Sequence, residues 1–256
     1  MTLHRLLSRF LPLAALALIA LVAPRQALAV DVVITCDNAY AFGYGPASGP
    51  TTLFGNVENC TAADIFSCGP GPESYLGIPS SPGYLYVVTW SDGNVTQGVL
   101  GNFTDGSTIV RTGQAGWQVY ATGQDVDVDC NSATGPNQAS VTAQVALANT
   151  NSGGANSSVG WVTATGGPLG TVGAVAVGEL NDNAAGTFPI VCNILTNARW
   201  MWYNPSPSTI TNPFTTGGGP GTMPNDANEF LIFRIPSELA TSAVHSTWGQ
   251  VKMLYR

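Results

Sequence analysis

Residues 84–130 constrain the fold most strongly, because large apolar side chains alternate there with polar ones between closely spaced turns. Every second position of the first run is apolar or aromatic, at Tyr84, Tyr86, Val88 and Trp90. Successive side chains of a strand point to opposite faces, so this spacing places them on one face of a strand. Turn-forming residues follow at 91–94, 104–106 and 113–116. The stretch therefore predicts four or five short strands joined by turns.

The same pattern recurs along the remaining chain, with about ten to twelve strand-sized segments in all. The run at 138–148 alternates Val141, Ala143, Val145 and Leu147, which predicts a long strand. Proline and glycine interrupt 45–82 and 204–228, which predicts two long loops. No helix longer than two turns is expected. We expect an all-β fold, an antiparallel two-sheet β-sandwich of jelly-roll-like form with long loops.

The first 29 residues carry the features of a signal peptide. Arg5 and Arg9 precede an apolar run at 11–23, and Ala27-Leu28-Ala29 matches a small-x-small cleavage site. We expect cleavage after Ala29, a single β-sandwich domain over 30–256, and secretion to an extracellular or periplasmic space. An uncleaved N-terminal anchor is the alternative, and no later apolar run predicts membrane insertion.

The charge balance excludes two classes of partner. Residues 30–256 carry five basic side chains against 15 acidic ones. Such a chain cannot neutralise a phosphate backbone, so a nucleic acid is not an expected partner. An anionic membrane surface is excluded for the same reason.

The cysteine content predicts disulfides but does not fix their pairing. All five cysteines follow the leader, in a compartment that we expect to be oxidising. Cys60 and Cys68 flank a short loop and are one candidate pair, while Cys36 and Cys130 end two candidate strands and are another. An odd count leaves one thiol free, buried, or paired between chains.

Histidine-based catalysis is not expected. His245 is the one histidine beyond the leader, and the chain has no G-x-S-x-G nucleophile motif. One histidine also cannot build a catalytic zinc site. Paired carboxylates leave glycoside hydrolysis open, with candidates at Glu58, Glu73, Glu179, Glu229 and Glu238.

Three aspartates at alternate positions suggest calcium as a cofactor. Asp125, Asp127 and Asp129 would share one face of a strand, where a divalent cation with oxygen ligands would relieve their mutual repulsion. The alternative is a solvated edge strand whose charges prevent aggregation.

Aromatic side chains are the candidate ligand-binding groups. Rings stack well on the apolar faces of sugars, and their polar edges accept or donate hydrogen bonds. Tyr75 and Tyr203 border the proline-rich loops and are expected to be exposed; Trp90 is a further stacking candidate, and Glu73 lies beside Tyr75. Trp200 and Trp202 are expected in the core.

Several segments resemble those of galactose-binding-like β-sandwiches of secreted bacterial proteins. They are Asp37-Asn38-Ala39-Tyr40 with Gly43-Tyr44-Gly45, Ala198–Trp202 with Asn228–Arg234, Gly116–Thr122 and Gly160–Val162. The chain departs from that pattern at Gly45-Pro46, where the family has an Asn-Gly turn. The resemblance implies a jelly-roll sandwich that binds glycans or surfaces, in some cases with a structural calcium ion.

These observations are compatible with three functions. The first is a secreted, non-catalytic binding module for a glycan or cell-surface polymer, acting through 45–82 and 204–228. The second is a structural, self-assembling extracellular protein, a possible homo-oligomer of the matrix or filament type. The third is a glycan-active hydrolase.

Overall fold

The computed structural model describes residues 29–92, 96–106, 108–126, 128, 135–154, 158–182, 184, 186, 188–215 and 229–237. Within these residues the chain forms two antiparallel sheets and two helices. The strands are β1 (Ala29–Asp37), β2 (Ala39–Gly45), β3 (Phe54–Glu58), β4 (Glu73–Pro79), β5 (Tyr84–Trp90), β6 (Gly98–Asp105), β7 (Thr108–Arg111), β8 (Gln118–Asp125), β9 (Ala174–Leu180), β10 (Arg199–Asn204) and β11 (Glu229–Pro236). The helices are α1 (Ala62–Ile65) and α2 (Gln138–Asn149).

The two sheets divide the chain between them. The first sheet has the strand order β4-β1-β6-β10-β9, with β7 also paired to β6, and the second has the order β3-β2-β5-β11-β8. Several connections cross from one sheet to the other, as between β1 and β2. The prediction of an all-β, antiparallel two-sheet sandwich is confirmed.

The main core lies between the sheets. Alternate residues of β1 and β2 point into it, among them Ile34, Phe42 and Tyr44. Phe42 contacts Phe103 of the first sheet with ring centroids 6.2 Å apart. Val87 and Phe233 of the second sheet also point into this core. The alternating residues Tyr84, Tyr86, Val88 and Trp90, which were predicted to share one face, lie on the face of β5 opposite to Val87 and so outside this main core.

Residues 138–149 form helix α2, so the prediction of a strand there is wrong, as is the expectation of no long helix. Val141, Val145 and Ala148 are its buried residues, at the spacing of one helical face. Over so short a run, the apolar positions fit both the helical period of about 3.6 residues and the strand period of two. Asn137 caps the helix, because its side chain accepts a hydrogen bond from the Ser140 amide at 2.9 Å. The helix packs on the outer face of the second sheet, against Tyr86, Val88 and Trp90.

The outer face of the first sheet is covered by irregular segments. Thr35, on the face opposite to Ile34, donates a hydrogen bond to the carbonyl of Ile65 at 2.9 Å. Phe66 and Phe188 lie over Trp200 of β10, with centroid distances of 5.7 and 4.3 Å. The segment 188–195 therefore covers the sheet and forms no strand.

The segment 45–82 is not one long loop. It contains β3 and β4, which lie at the edges of the two sheets, and the one-turn helix α1 between them. Proline is tolerated at such edges, as at Pro79, because an edge strand leaves some amides unpaired. The segment 204–215 remains irregular beyond Asn204.

The cysteine pairing differs from both candidate pairs. Cys68 forms a disulfide with Cys192, and the two are 124 residues apart in the sequence. Cys60 is also disulfide-bonded, while Cys36 is a buried free thiol. Spacing along the chain could not identify the Cys68–Cys192 pair, because the sheets bring distant loops together. Cys130 lies outside the described residues.

Several predictions fall partly or wholly outside the described residues. Of the predicted signal peptide, 1–29, only Ala29 is described, and cleavage and secretion stay predictions. Residues 216–228, His245 and the C-terminal segment are also outside. Within the described part of the chain, no helix has the length and apolar character needed to cross a membrane.

Candidate functional site

Two of the predicted ligand-binding rings are buried. Trp90 and Tyr203 have no solvent exposure, and Trp90 packs against helix α2. The expectation that Tyr203 is exposed is therefore wrong, and neither ring offers a free face to a sugar. Trp200 and Trp202 lie in the core, as expected.

Tyr75 and Glu73 come together at the edge of the sandwich, on strand β4. The Tyr40 hydroxyl donates to Glu73 Oε2 at 3.0 Å and lies 2.9 Å from the Tyr75 hydroxyl. Burial raises the pKa of the Glu73 carboxyl above its ordinary value, while hydrogen bonds from its neighbours lower it. These groups face inward between the sheets, and Tyr75 packs edge-on against Phe42 at 5.0 Å. The cluster closes the open side of the core.

The predicted calcium site cannot be assembled from the described residues. Asp125 is the exposed last residue of β8, whereas Asp127 and Asp129 lie outside the described residues. The described part of the chain holds no group of three or more His, Cys, Asp or Glu side chains placed to bind a metal. Calcium binding stays a prediction.

A pocket of about 370 Å³ opens beside β9, at the edge of the first sheet. We call it the aromatic pocket. Strand β9 supplies one wall, the segment over the outer face supplies a second, and the start of the 204–228 segment supplies a third. Its lining residues are Val177, Gly178, Glu179, Phe188, Thr211, Asn212 and Phe214.

Hydrogen bonds to the backbone fix the polar side chains of the aromatic pocket. Glu179 Oε2 accepts from the Phe188 amide at 3.3 Å, and Asn212 Oδ1 accepts from the Phe214 amide at 3.0 Å. The second contact is an Asx turn, which orients the Asn212 side chain without help from the core. Carboxylate and amide groups are thus positioned before any ligand arrives.

Glycine at position 178 allows the floor of the aromatic pocket to form. A Cβ atom built at Gly178 would lie 2.9 Å from the Phe214 ring, which is closer than ordinary van der Waals contact. Phe214 meets Phe188 in a T-shaped contact at 6.1 Å. The rings therefore rest directly against the strand and give the pocket an apolar base.

The lining of the aromatic pocket is complementary to a polar ligand that has one apolar face. Val177, which is 42% exposed, and the small exposed part of Phe214 offer apolar contact. Glu179, Asn212 and Thr211 offer a carboxylate, an amide and a hydroxyl. Glu179 is the one carboxylate among the described lining residues. Glycoside hydrolysis by the usual mechanism uses two carboxyl groups that flank the bond to be broken. The described lining residues therefore supply one of the two carboxyl groups that such a mechanism uses.

A second depression of about 570 Å³ lies between β3 and the start of helix α2. We call it the polar groove. Its lining is uncharged and rich in hydroxyl and amide groups: Ala41, Thr51, Thr52, Leu53, Asn56, Gly135, Pro136, Asn137 and Gln138. The predicted binding segments 45–82 and 204–228 thus each contribute to a concave surface, through Thr51–Asn56 here and through 211–214 in the aromatic pocket.

Sequence reasoning identified only part of the aromatic pocket. Glu179 was a candidate carboxylate, and 204–228 a candidate binding segment. Phe188, Asn212 and Phe214 were not singled out, because no local pattern distinguishes them from ordinary strand or turn residues. The Asn-Pro-Phe sequence at 212–214 was the available signal, since it sets an Asx turn beside a ring in a loop rich in small residues.

Comparison of the chain with protein families, with curated proteins and with solved structures gives no match. The likeness to galactose-binding-like sandwiches therefore stays a prediction from the sequence.

Proposed function

We propose that this protein is a secreted, non-catalytic binding module whose aromatic pocket holds one sugar residue of a glycan or cell-surface polymer. The observation that carries the proposal is the combination of an apolar floor with one carboxylate, one amide and one hydroxyl in a single pocket. Its volume of about 370 Å³ lies at the lower end of the range for small-ligand sites.

The proposal assigns a role to each wall. The apolar face of a sugar ring packs mainly on Val177, with the small exposed part of Phe214 beside it, which removes nonpolar surface from water. Two neighbouring hydroxyls donate to Glu179, and Asn212 and Thr211 bond the next positions around the ring. Hydrogen bonds to a charged group contribute more than neutral ones, so Glu179 supplies the largest polar contribution.

A glycan array probed with the secreted, cleaved protein tests the proposal, with and without a calcium chelator. The informative variants are Glu179→Gln, which removes the charge but keeps the shape, and Asn212→Asp. The second keeps the oxygen that accepts from the Phe214 amide but replaces the amide donor. We expect each to weaken binding of the array hit by about 10- to 100-fold, the equivalent of about 1.5–3 kcal/mol.

Asp182→Asn is the matched control. Asp182 is exposed, follows β9 closely and accepts a hydrogen bond from the Ala184 amide at 3.0 Å, which an asparagine oxygen also accepts. Binding unchanged in Asp182→Asn but lost in the two pocket variants would support the proposal. Binding that survives both pocket variants would place the ligand elsewhere, with the polar groove as the next surface to mutate. A hit that is cleaved on incubation would instead favour the hydrolase.

A further inference from the structure

A surface turn presents a leucine side chain to solvent. Residues 168–171 form the turn, closed by a hydrogen bond from the Thr171 amide to the Pro168 carbonyl at 3.0 Å. Leu169 and Gly170 both have positive φ, 56° and 76°, which is the geometry of a type I′ turn. Leu169 is 83% exposed, the largest value among the exposed large hydrophobic side chains of the described residues.

Leucine is a poor choice for this position if the turn has only to reverse the chain. The first central residue of a type I′ turn is left-handed, which favours asparagine, aspartate or glycine. The turn is nevertheless well fixed, since the Thr171 hydroxyl also donates to the Pro168 carbonyl at 2.7 Å and the Gly167 amide bonds the Thr171 carbonyl at 3.2 Å. The chain thus holds an apolar side chain outward on a rigid support.

A groove of about 400 Å³ begins at the base of this turn. Small, uncharged residues from two segments line it: Ala164, Thr165, Gly166, Thr171, Val172, Ala174, Pro207 and Ser208. Val172 is itself 58% exposed. An apolar projection and a recess lined by small, uncharged side chains therefore lie side by side on one surface.

The two stretches of chain that supply the turn and the groove carry no charged side chain. No Asp, Glu, Lys, Arg or His occurs from Cys130 to Gly178 or from Trp200 to Asn225, the two stretches that supply the turn and the groove. Elsewhere acidic residues dominate, so two copies of the chain repel one another over most orientations. They can approach closely where carboxylates are absent.

We propose that this surface joins two copies of the chain about a two-fold axis, with Leu169 of each copy seated in the groove of the other. An oppositely charged partner would select the acidic surfaces, whereas a second copy supplies both a matching projection and a matching recess. A two-fold contact is self-complementary, which requires the two features to be neighbours on one surface. The inference does not depend on the proposed sugar site.

The contact is expected to be weak. A stable interface buries about 800 Å² on each partner, more than one exposed leucine and its surroundings provide. We therefore expect a monomer–dimer equilibrium in the range of about 10 μM to 1 mM and not a permanent dimer.

Sedimentation equilibrium of the secreted protein over this concentration range, under non-reducing and reducing conditions, tests the inference. The informative variant is Leu169→Asn, because asparagine suits the left-handed backbone and removes the apolar projection. We expect it to raise the dissociation constant at least tenfold, with an unchanged or higher melting temperature that shows an intact fold. Leu76→Asn is the matched control, since Leu76 is 79% exposed but lies on strand β4.

Association lost in Leu169→Asn but kept in Leu76→Asn would support the two-fold contact. A wild-type chain that stays monomeric at 1 mM would overturn it, and so would a dimer that Leu169→Asn leaves intact. A dimer that reductant dissociates would overturn it too, since the contact proposed is not covalent.

Discussion

Asp37 is an acidic residue that is buried where β1 leads into β2, with 4% of the residue's surface exposed. Burial raises its pKa to about 7; a hydrogen bond from the Thr96 hydroxyl lowers it, and the nearby Asp92 raises it. The folded state therefore holds a proton that the unfolded chain releases at its ordinary pKa near 4. This group stabilises the fold fully below about pH 4, and that contribution is lost as the pH rises to about 7.

We expect Asp37→Asn to flatten the pH dependence of unfolding between about pH 4 and pH 7, because asparagine stays neutral and still accepts from Thr96. Ionisation of Asp37 lowers the free energy of unfolding by roughly 4 kcal/mol at most. The variant avoids this loss, so it should become more stable than wild type as the pH rises. Urea titrations at several pH values measure this. Glu73 shifts in the same direction, so some pH dependence remains. Asp31→Asn, an exposed position on the same strand, is the control, and equal effects of the two variants would contradict the argument.

Helix α2 has no charged residue and buries three small side chains, so its own propensity cannot hold it folded. Packing against the second sheet does so, assisted by Arg234. The Arg234 guanidinium lies between two rings, 4.5 Å from the centroid of Tyr84 and 3.8 Å from that of Trp161. It also donates to Asn149 Oδ1, at the end of the helix, at 2.9 Å. One cation thus ties strand β11 to the end of helix α2.

Replacing Arg234 with lysine keeps the charge but loses the planar stacking and the paired hydrogen bonds to Gln118 and Asn149. We expect Arg234→Lys to lower the free energy of unfolding by about 2–3 kcal/mol. Denaturant titration measures it, and hydrogen exchange should show the loss first in residues 138–149. Arg111→Lys is the control, because the Arg111 guanidinium donates an exposed hydrogen bond to Asn197 Oδ1 at 3.4 Å, and its backbone hydrogen bonds are kept in the variant. A cost below about 0.5 kcal/mol, the range of surface substitutions, would show that Arg234 does not fasten the helix.

The sandwich as a whole is covered on both outer faces, by helix α2 on one side and by irregular segments on the other. The Cys68–Cys192 disulfide fixes the second cover, since it joins the segment after α1 to the segment that carries Phe188. A crosslink between residues 124 apart in the sequence removes much conformational freedom from the unfolded chain. It also holds one wall of the aromatic pocket in place.

We expect the double variant Cys68→Ser with Cys192→Ser to cost about 2–5 kcal/mol of stability. It should also lower the affinity of the aromatic pocket for any ligand, because the segment that carries Phe188 is no longer crosslinked to Cys68. Thermal unfolding and binding measured on one preparation separate the two effects. Cys36→Ala, which removes a buried free thiol, is the control for cysteine replacement. Ligand affinity unchanged in the double variant would show that the pocket forms without the disulfide.

The candidate site shows how far the sequence could lead. Local chemistry pointed to Glu179 and to the segment 204–228, because carboxylates and proline-rich loops are visible residue by residue. It also favoured Tyr203 and Trp90, which the fold buries, since an aromatic residue near a loop looks the same whether it faces solvent or core. Exposure depends on which element packs above a residue, and no spacing along one strand contains that information.

Alternation with a period of two was sufficient for the all-β class and for the strand Tyr84–Trp90, because the two faces of a strand are a property of consecutive residues. The tertiary fold was needed wherever the outcome depends on distant partners. The outer face of the second sheet selected a helix at 138–149, and loop proximity selected the Cys68–Cys192 pair. The aromatic pocket likewise joins residues 177–179, 188 and 211–214. Such contacts are set by chain topology, and topology is a property of the whole sequence rather than of any segment.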